Sequence, residues 1–206
     1  VAACATKEPV KTDAGPEKPT TTAPAPTASA PPSPVPTAPV PTPQPSSPAA
    51  VASPRLLNET ERAEVSRVLH RFSVDFAQTF HVNLNGFGDC FFASTTYKEN
   101  NVGDFLIVQG DRVSLVLPKN PSAESWTRSE VKAVAFTSLD DDAYTDVVAI
   151  AEYMTGIGPT GAVPFPVVFY YHGTGPKSFR LDEATSNSAT EKKVSSIAAA
   201  KKHIGR

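Results

Sequence analysis

The sequence predicts a mainly β fold: a single antiparallel β-rich domain, propeller-like or sandwich-like, with short N- and C-terminal helices. Three observations carry that expectation. Apolar runs of strand length recur between residues 104 and 181. Turns rich in glycine, proline and aspartate separate them. Helical spacing of apolar residues is confined to the two ends of the foldable region.

That region is set off by composition. Of the 21 prolines in the 206 residues, 15 precede Arg55, mixed with Ala, Thr and Ser, and no aromatic residue occurs before Phe72. Such a segment buries too little apolar surface to offset the entropy of ordering, and its prolines favour extended polyproline II. Residues 1–57 therefore read as a tether. At about 3.1 Å per residue, Cys4 to Asn58 reaches on the order of 160 Å when extended. An O-glycosylated or merely unstructured leader is the alternative. Residues 58–206 are enough for one domain with one core.

From Arg55 onward 16 Lys/Arg face 18 Asp/Glu. This near-neutral balance argues against nucleic acid as a partner. No run of 18 apolar residues occurs. Ala2-Ala3-Cys4 matches the end of a bacterial lipoprotein signal, in which the cysteine is lipidated; the match requires an apolar leader ahead of it. The expectation is a lipid anchor at Cys4 as the sole membrane contact. Cys90, beside Phe91-Phe92, reads as a buried small hydrophobe, although a Cys4–Cys90 disulfide would compete with the anchor.

The elements follow in order. Asn58-Glu59-Thr60-Glu61 has the form of a capping box, and Val65, Leu69 and Phe72 follow at helical spacing, so a helix is expected over about 59–73. Residues 104–108, the Gly110-Asp111 turn and residues 112–117 make a hairpin, with Val113, Leu115 and Leu117 alternating onto one face. Strands follow at 131–136 and 144–154. Val147–Ala151 has no polar residue at either parity, the pattern of a strand buried on both faces or central in a curled sheet. Residues 166–171 pair with it, residues 178–181 form a short last strand, and residues 190–204 suggest a terminal helix ended by Gly205.

The loop Thr155–Phe165 joins the two most apolar of these strands. Its eleven residues exceed the two to five usual for a hairpin, carry no charge, and include three glycines and two prolines. It reads as a stiff apolar finger projected from a β scaffold, entered by Glu152-Tyr153, and better suited to binding or blocking than to catalysis.

Two turns have the spacing of cation loops. Ser138, Asp140, Asp142 and Asp146 offer side-chain oxygens and Tyr144 its carbonyl, the alternate-position pattern that wraps calcium. Ser138 stands where an acid would serve best, and Ala143 where glycine usually allows a sharp turn, so a plain solvated acidic turn competes with a structural calcium site. Residues 83–89, with Asn83, Asn85 and Asp89, resemble a worn copy of the same device, or a glycine-rich turn between strands.

No enzyme signature emerges. His70, His81, His172 and His203 are scattered without metal-site spacing, and no nucleophile elbow, phosphate loop or His-Glu-x-x-His is present. Asp146 and Glu152 lie six residues apart along one strand, about 20 Å by rise, too far for a paired glycosidase mechanism.

The run Asp140–Asp146, followed by Val147-Val148-Ala149-Ile150-Ala151-Glu152-Tyr153-Met154-Thr155-Gly156-Ile157-Gly158-Pro159, resembles a family of bacterial periplasmic lipoproteins. These include xanthomonad immunity proteins that neutralise a lysozyme-like effector of a type IV secretion system, and they are related to periplasmic inhibitors of invertebrate-type lysozyme. The similarity covers about residues 132–179. It implies a non-catalytic β scaffold, lipid-anchored in the periplasm (at the outer membrane), that inserts a loop into the cleft of a peptidoglycan hydrolase. Carried over by position, it places Tyr153, Thr155 and Gly156 in the inhibitory loop, with Glu152, Gly158 and Phe165 beside them, and Asp140, Asp142 and Asp146 in a calcium loop. An envelope lipoprotein that binds glycan or a surface protein is the alternative from a second class, and a hydrolytic enzyme the third.

Overall fold

The structure, a computed structural model, describes residues 53–99, 102–156 and 163–205. Cys4 and the tether up to residue 52 lie outside the described residues, as do residues 157–162 of the long loop, Gly158 among them.

The first ordered element is a two-residue strand, β1 (Arg55–Leu56), slightly ahead of the composition shift at Asn58. The capping box then forms as the sequence suggests. Asn58 Oδ1 accepts from the Glu61 N–H at 2.9 Å, and the Glu61 carboxylate accepts from the Asn58 N–H at 2.9 Å. The helix α1 (Glu59–Val68) is shorter than expected. It stops because Phe72 belongs to a strand, β2 (Phe72–Val74), where its ring lies 4.3 Å from that of Tyr97.

Two antiparallel meanders follow. The first sheet contains β3 (Phe80–Leu84), β4 (Gly88–Tyr97), β5 (Gly103–Gln109) and β6 (Arg112–Val116), in the order β1-β3-β4-β5-β6, with β2 also pairing β4. The second contains β7 (Thr127–Thr137), β8 (Asp146–Met154), β9 (Phe165–Gly175) and β10 (Ser178–Leu181), in the order β10-β9-β8-β7. Both sheets are open, so the mainly β expectation holds in its sandwich-like form.

Strand parity explains the layering. Cys90, Phe92, Phe105 and Ile107 of the first sheet share one core with Val147, Ala149, Ala151, Val167, Phe169 and Tyr171 of the second. The alternate residues face outward onto helices. Phe91, Ala93, Leu106 and Val108 pack with Val65 and Leu69 of α1. Val148, Ile150, Val168 and Tyr170 pack under α2 (Glu183–Glu191) and α3 (Ile197–His203), against Ala189 and Ala200. Strands β8 and β9 are apolar at both parities because both of their faces are covered. Cys90 is a free, buried thiol whose pKa burial pushes up to about 12, as suits a small core hydrophobe.

Two expectations need correction. Val113 does not share a face with Leu115 and Leu117, because a bulge between Ile107 and Val108 in the pairing sets Val113 opposite Val108 and Leu115 opposite Ile107. On this edge strand Val113 is left exposed. The single terminal helix over 190–204 is instead two helices. Lys193 adopts a positive φ of 53° after α2, and Ser196 caps α3 through its side chain, so the chain breaks where continuous helix was expected.

Candidate functional site

The features singled out in the sequence sit at opposite ends of one hairpin. β8 and β9 pair in a single register from Val147–Tyr171 to Tyr153–Phe165. Asp146 begins β8 and Met154 ends it. At about 3.3 Å per residue these ends lie roughly 26 Å apart.

At the loop end, Tyr153 is 4% exposed. It continues the inward parity of Val147, Ala149 and Ala151, and its ring centroid lies 6.1 Å from that of Phe169. Burial raises its hydroxyl pKa, opposed by the neighbouring Arg128. Arg128 is buried too, its guanidinium 5.1 Å from the Phe105 ring centroid and packed so tightly on Gly103 that a Cβ there would stand 2.2 Å from Nε. Tyr153 is therefore a core residue at the root of the loop, and its ring is not offered to a partner. Glu152, on the opposite face, is half-buried and lies 3.4 Å from Lys132 Nζ.

Beyond Tyr153 the described residues become more exposed. Thr155 is half-buried, and Gly156 is exposed with φ +71° and no atom within 4 Å of where a Cβ would stand. On the return side Val163 is 62% exposed, and Phe165 is braced edge-on by Trp126 at 5.0 Å.

At the other end lies the acidic turn. Asp140 Oδ1 accepts from the Asp142 N–H at 3.2 Å, Asp142 Oδ1 accepts from the Tyr144 N–H at 2.8 Å, and the Ser138 hydroxyl donates to the Asp140 carbonyl. Asp146 is fully buried, with one carboxylate oxygen accepting from the Leu139 N–H and the other from the Gly173 N–H at 2.8 Å. Burial raises the Asp146 pKa, while these two N–H groups and His172 oppose the rise. Partial burial also works against the Asp140 carboxylate, but hydrogen bonds from Asp142 and His172 outweigh it and hold its pKa below the ordinary value.

The residue that sequence spacing missed is His172. Its Nδ1 lies 3.1 Å from Asp140 Oδ2 and 3.8 Å from Asp146 Oδ1, and its Nε2 lies 3.8 Å from Asp182 Oδ2. Ligand atoms of Asp140, Asp146 and His172 fall within 4.8 Å of one another, so the three can together hold a metal ion. The sequence suggests that 144–154 pairs with 166–171 but not in which register; the observed pairing of Val147 with Tyr171 sets position 172 beside 146.

Of the three carboxylates expected of a calcium loop, two converge in this way. Asp140 and Asp146 belong to the cluster, whereas Asp142 does not. The Asp142 oxygen instead caps the backbone of the turn.

The worn second turn turns out to be a brace for the first. Asn85 Nδ2 donates to the Thr145 carbonyl and Oδ1 accepts from the Thr145 N–H, across the two sheets. Among the described residues no helix is long and apolar enough to cross a membrane. Compared with models of protein families, with characterised proteins and with solved structures, the chain matches none.

Proposed function

We propose that this chain is an envelope-anchored protein inhibitor of a lysozyme-like peptidoglycan hydrolase, lipidated at Cys4, held in the periplasm by its tether, and acting as an immunity protein. The observation that carries the reading is the mounting of the 155–165 loop. It is rooted in β8 and β9, strands buried on both faces, with an exposed Gly156 of positive φ on one side and a Phe165 braced by Trp126 on the other. A loop so rooted loses less entropy on entering a polysaccharide cleft than a free segment would. The contacts then fall to Thr155, Gly156, Gly158 and their loop neighbours, with Tyr153 and Phe165 holding the root and Glu152 oriented by Lys132. Calcium, which the sequence resemblance implies, plays no part in the blocking step.

The test is titration of the full chain against a panel of muramidases. Stoichiometric inhibition of at least one is expected. Replacement of residues 156–163 by Asn-Gly should weaken inhibition about tenfold or more, about 1.4 kcal/mol, at unchanged melting temperature. Inhibition untouched by the replacement would reject the loop as the blocking element. Binding to polymeric wall without inhibition would instead favour a glycan-binding envelope protein.

A further inference from the structure

We propose that Asp140, Asp146 and His172 form a site for a divalent transition metal of the zinc class, in place of the calcium loop suggested by the sequence of the β7–β8 turn. This goes beyond the inhibitor reading and does not depend on it, because the cluster and the loop occupy opposite ends of β8 and β9.

The donor set argues first. Calcium takes six to eight oxygen ligands, whereas the acidic donors of this cluster are two carboxylates. The third donor is an imidazole nitrogen brought from β9, and imidazole with carboxylate suits zinc, cobalt or nickel. Two carboxylates and a neutral imidazole balance the charge of such an ion.

The surroundings of His172 argue next. Nδ1 faces Asp140 and Asp146, while Nε2 faces Asp182 at 3.8 Å. A ligating histidine is usually oriented by a carboxylate on its second nitrogen, and Asp182 stands on that side. Asp182 is itself fixed as the N-cap of α2, accepting from the Thr185 N–H at 3.0 Å and from the Thr185 hydroxyl at 2.8 Å. The imidazole is thus flanked on both nitrogens by carboxylates from two separate elements.

Access completes the case. His172 and Asp182 line a groove of about 530 Å³ together with Leu139, Thr185, Ser188 and His203. His172 is the cluster residue that lines it, and the Asp140 side chain is 43% exposed, so the cluster is reachable from solvent. Three protein ligands leave the fourth position of a tetrahedral zinc site directed to solvent or to a small ligand. An ion there would tie the β7–β8 turn to β8 and β9.

The experiment uses the full chain without a polyhistidine tag, stripped with chelator and then titrated separately with Zn²⁺, Co²⁺ and Ca²⁺. We expect one Zn²⁺ or Co²⁺ per chain, a raised melting temperature with either, and visible Co²⁺ bands of a tetrahedral site. Millimolar Ca²⁺ should change the melt little. His172→Gln should weaken Zn²⁺ binding about tenfold or more, and Asp182→Asn by a comparable factor, whereas Asp142→Asn should bind as the parent does. The variant lacking residues 156–163 should bind Zn²⁺ normally, so failure of the inhibitor reading leaves this result unaffected. Calcium binding lost in Asp142→Asn but kept in His172→Gln would overturn the proposal. So would a melt indifferent to all three ions, or Co²⁺ bands unchanged in His172→Gln.

Discussion

The side-chain amide of Asn85 grips the backbone of Thr145 on both sides, donating to its carbonyl at 2.8 Å and accepting from its N–H at 2.7 Å. Asn85 sits in the β3–β4 turn and Thr145 in the β7–β8 turn, so one amide joins the two meanders at their turn ends. Thr145 is buried, which leaves its peptide groups without ready access to water once the amide is removed. Asn85→Ala is therefore expected to destabilise the domain by about 2–3 kcal/mol, measured by urea denaturation. A loss below half a unit would mean that water replaces the amide.

Gly173 lies beneath the same contact. A Cβ there would stand 2.4 Å from Asn85 Nδ2 and 2.8 Å from the Thr145 carbonyl oxygen. Gly173→Ala should cost about 1–3 kcal/mol by overpacking. In the double variant with Asn85→Ala the two losses should add to less than their sum, because both act on one contact. A double-mutant cycle by urea denaturation reads this directly, and strict additivity would separate the two sites.

Tyr153 is expected to behave as a core aromatic. Tyr153→Ala should cost about 3–5 kcal/mol, and Tyr153→Phe less, through the loss of its hydroxyl beside Arg128. Thermal melts would check both. A folded Tyr153→Ala protein of normal stability would contradict the inward placement of the ring.

Acid should remove a contribution of the α1 end to stability. The Arg55 guanidinium, the Asn58 N–H and His81 hold the Glu61 carboxyl down at about 2, against an ordinary value of 4.5. A lowered folded-state pKa contributes stability that is complete above the unfolded value and is lost as pH falls through the folded one. Stability from this group should accordingly decline between about pH 4.5 and about pH 2. Glu61→Gln should flatten that part of a plot of urea midpoint against pH, while an identical acid limb in both proteins would assign the decline elsewhere.

Much of the scaffold could be read from the chain because strand parity and caps are local. Asn58 and Glu61 announce the start of α1, and the unbroken apolar run Val147–Ala151 announces a strand covered on both sides. What could not be read depends on contacts distant in sequence. The helix Glu183–Glu191 has no apolar stripe, since its buried residues are only Ser186 and Ala189, so periodicity is silent there. The bulge that turns Val113 outward inserts Ser114 between the partners of Val108 and Ile107, and strict alternation in the sequence of β6 gives no hint of it. His172 reads as an isolated histidine until the strand register sets it beside Asp146. Tyr153 is the converse case. An aromatic at a strand end, at the mouth of a long loop, can either close the core or meet a partner, and its packing on Phe169 decides for the core.

The pairing pattern has a kinetic consequence. Each strand of the second sheet bonds only to its neighbours in sequence, so that sheet can zip together from successive short loops, apart from the long one before β9. The slow event should then be the mating of the two halves, with Asn85 and Thr145 among the last groups to meet. Pulse-labelling hydrogen exchange during refolding is expected to protect the Val148 and Ile150 amides before that of Thr145, and simultaneous protection would instead indicate one concerted collapse.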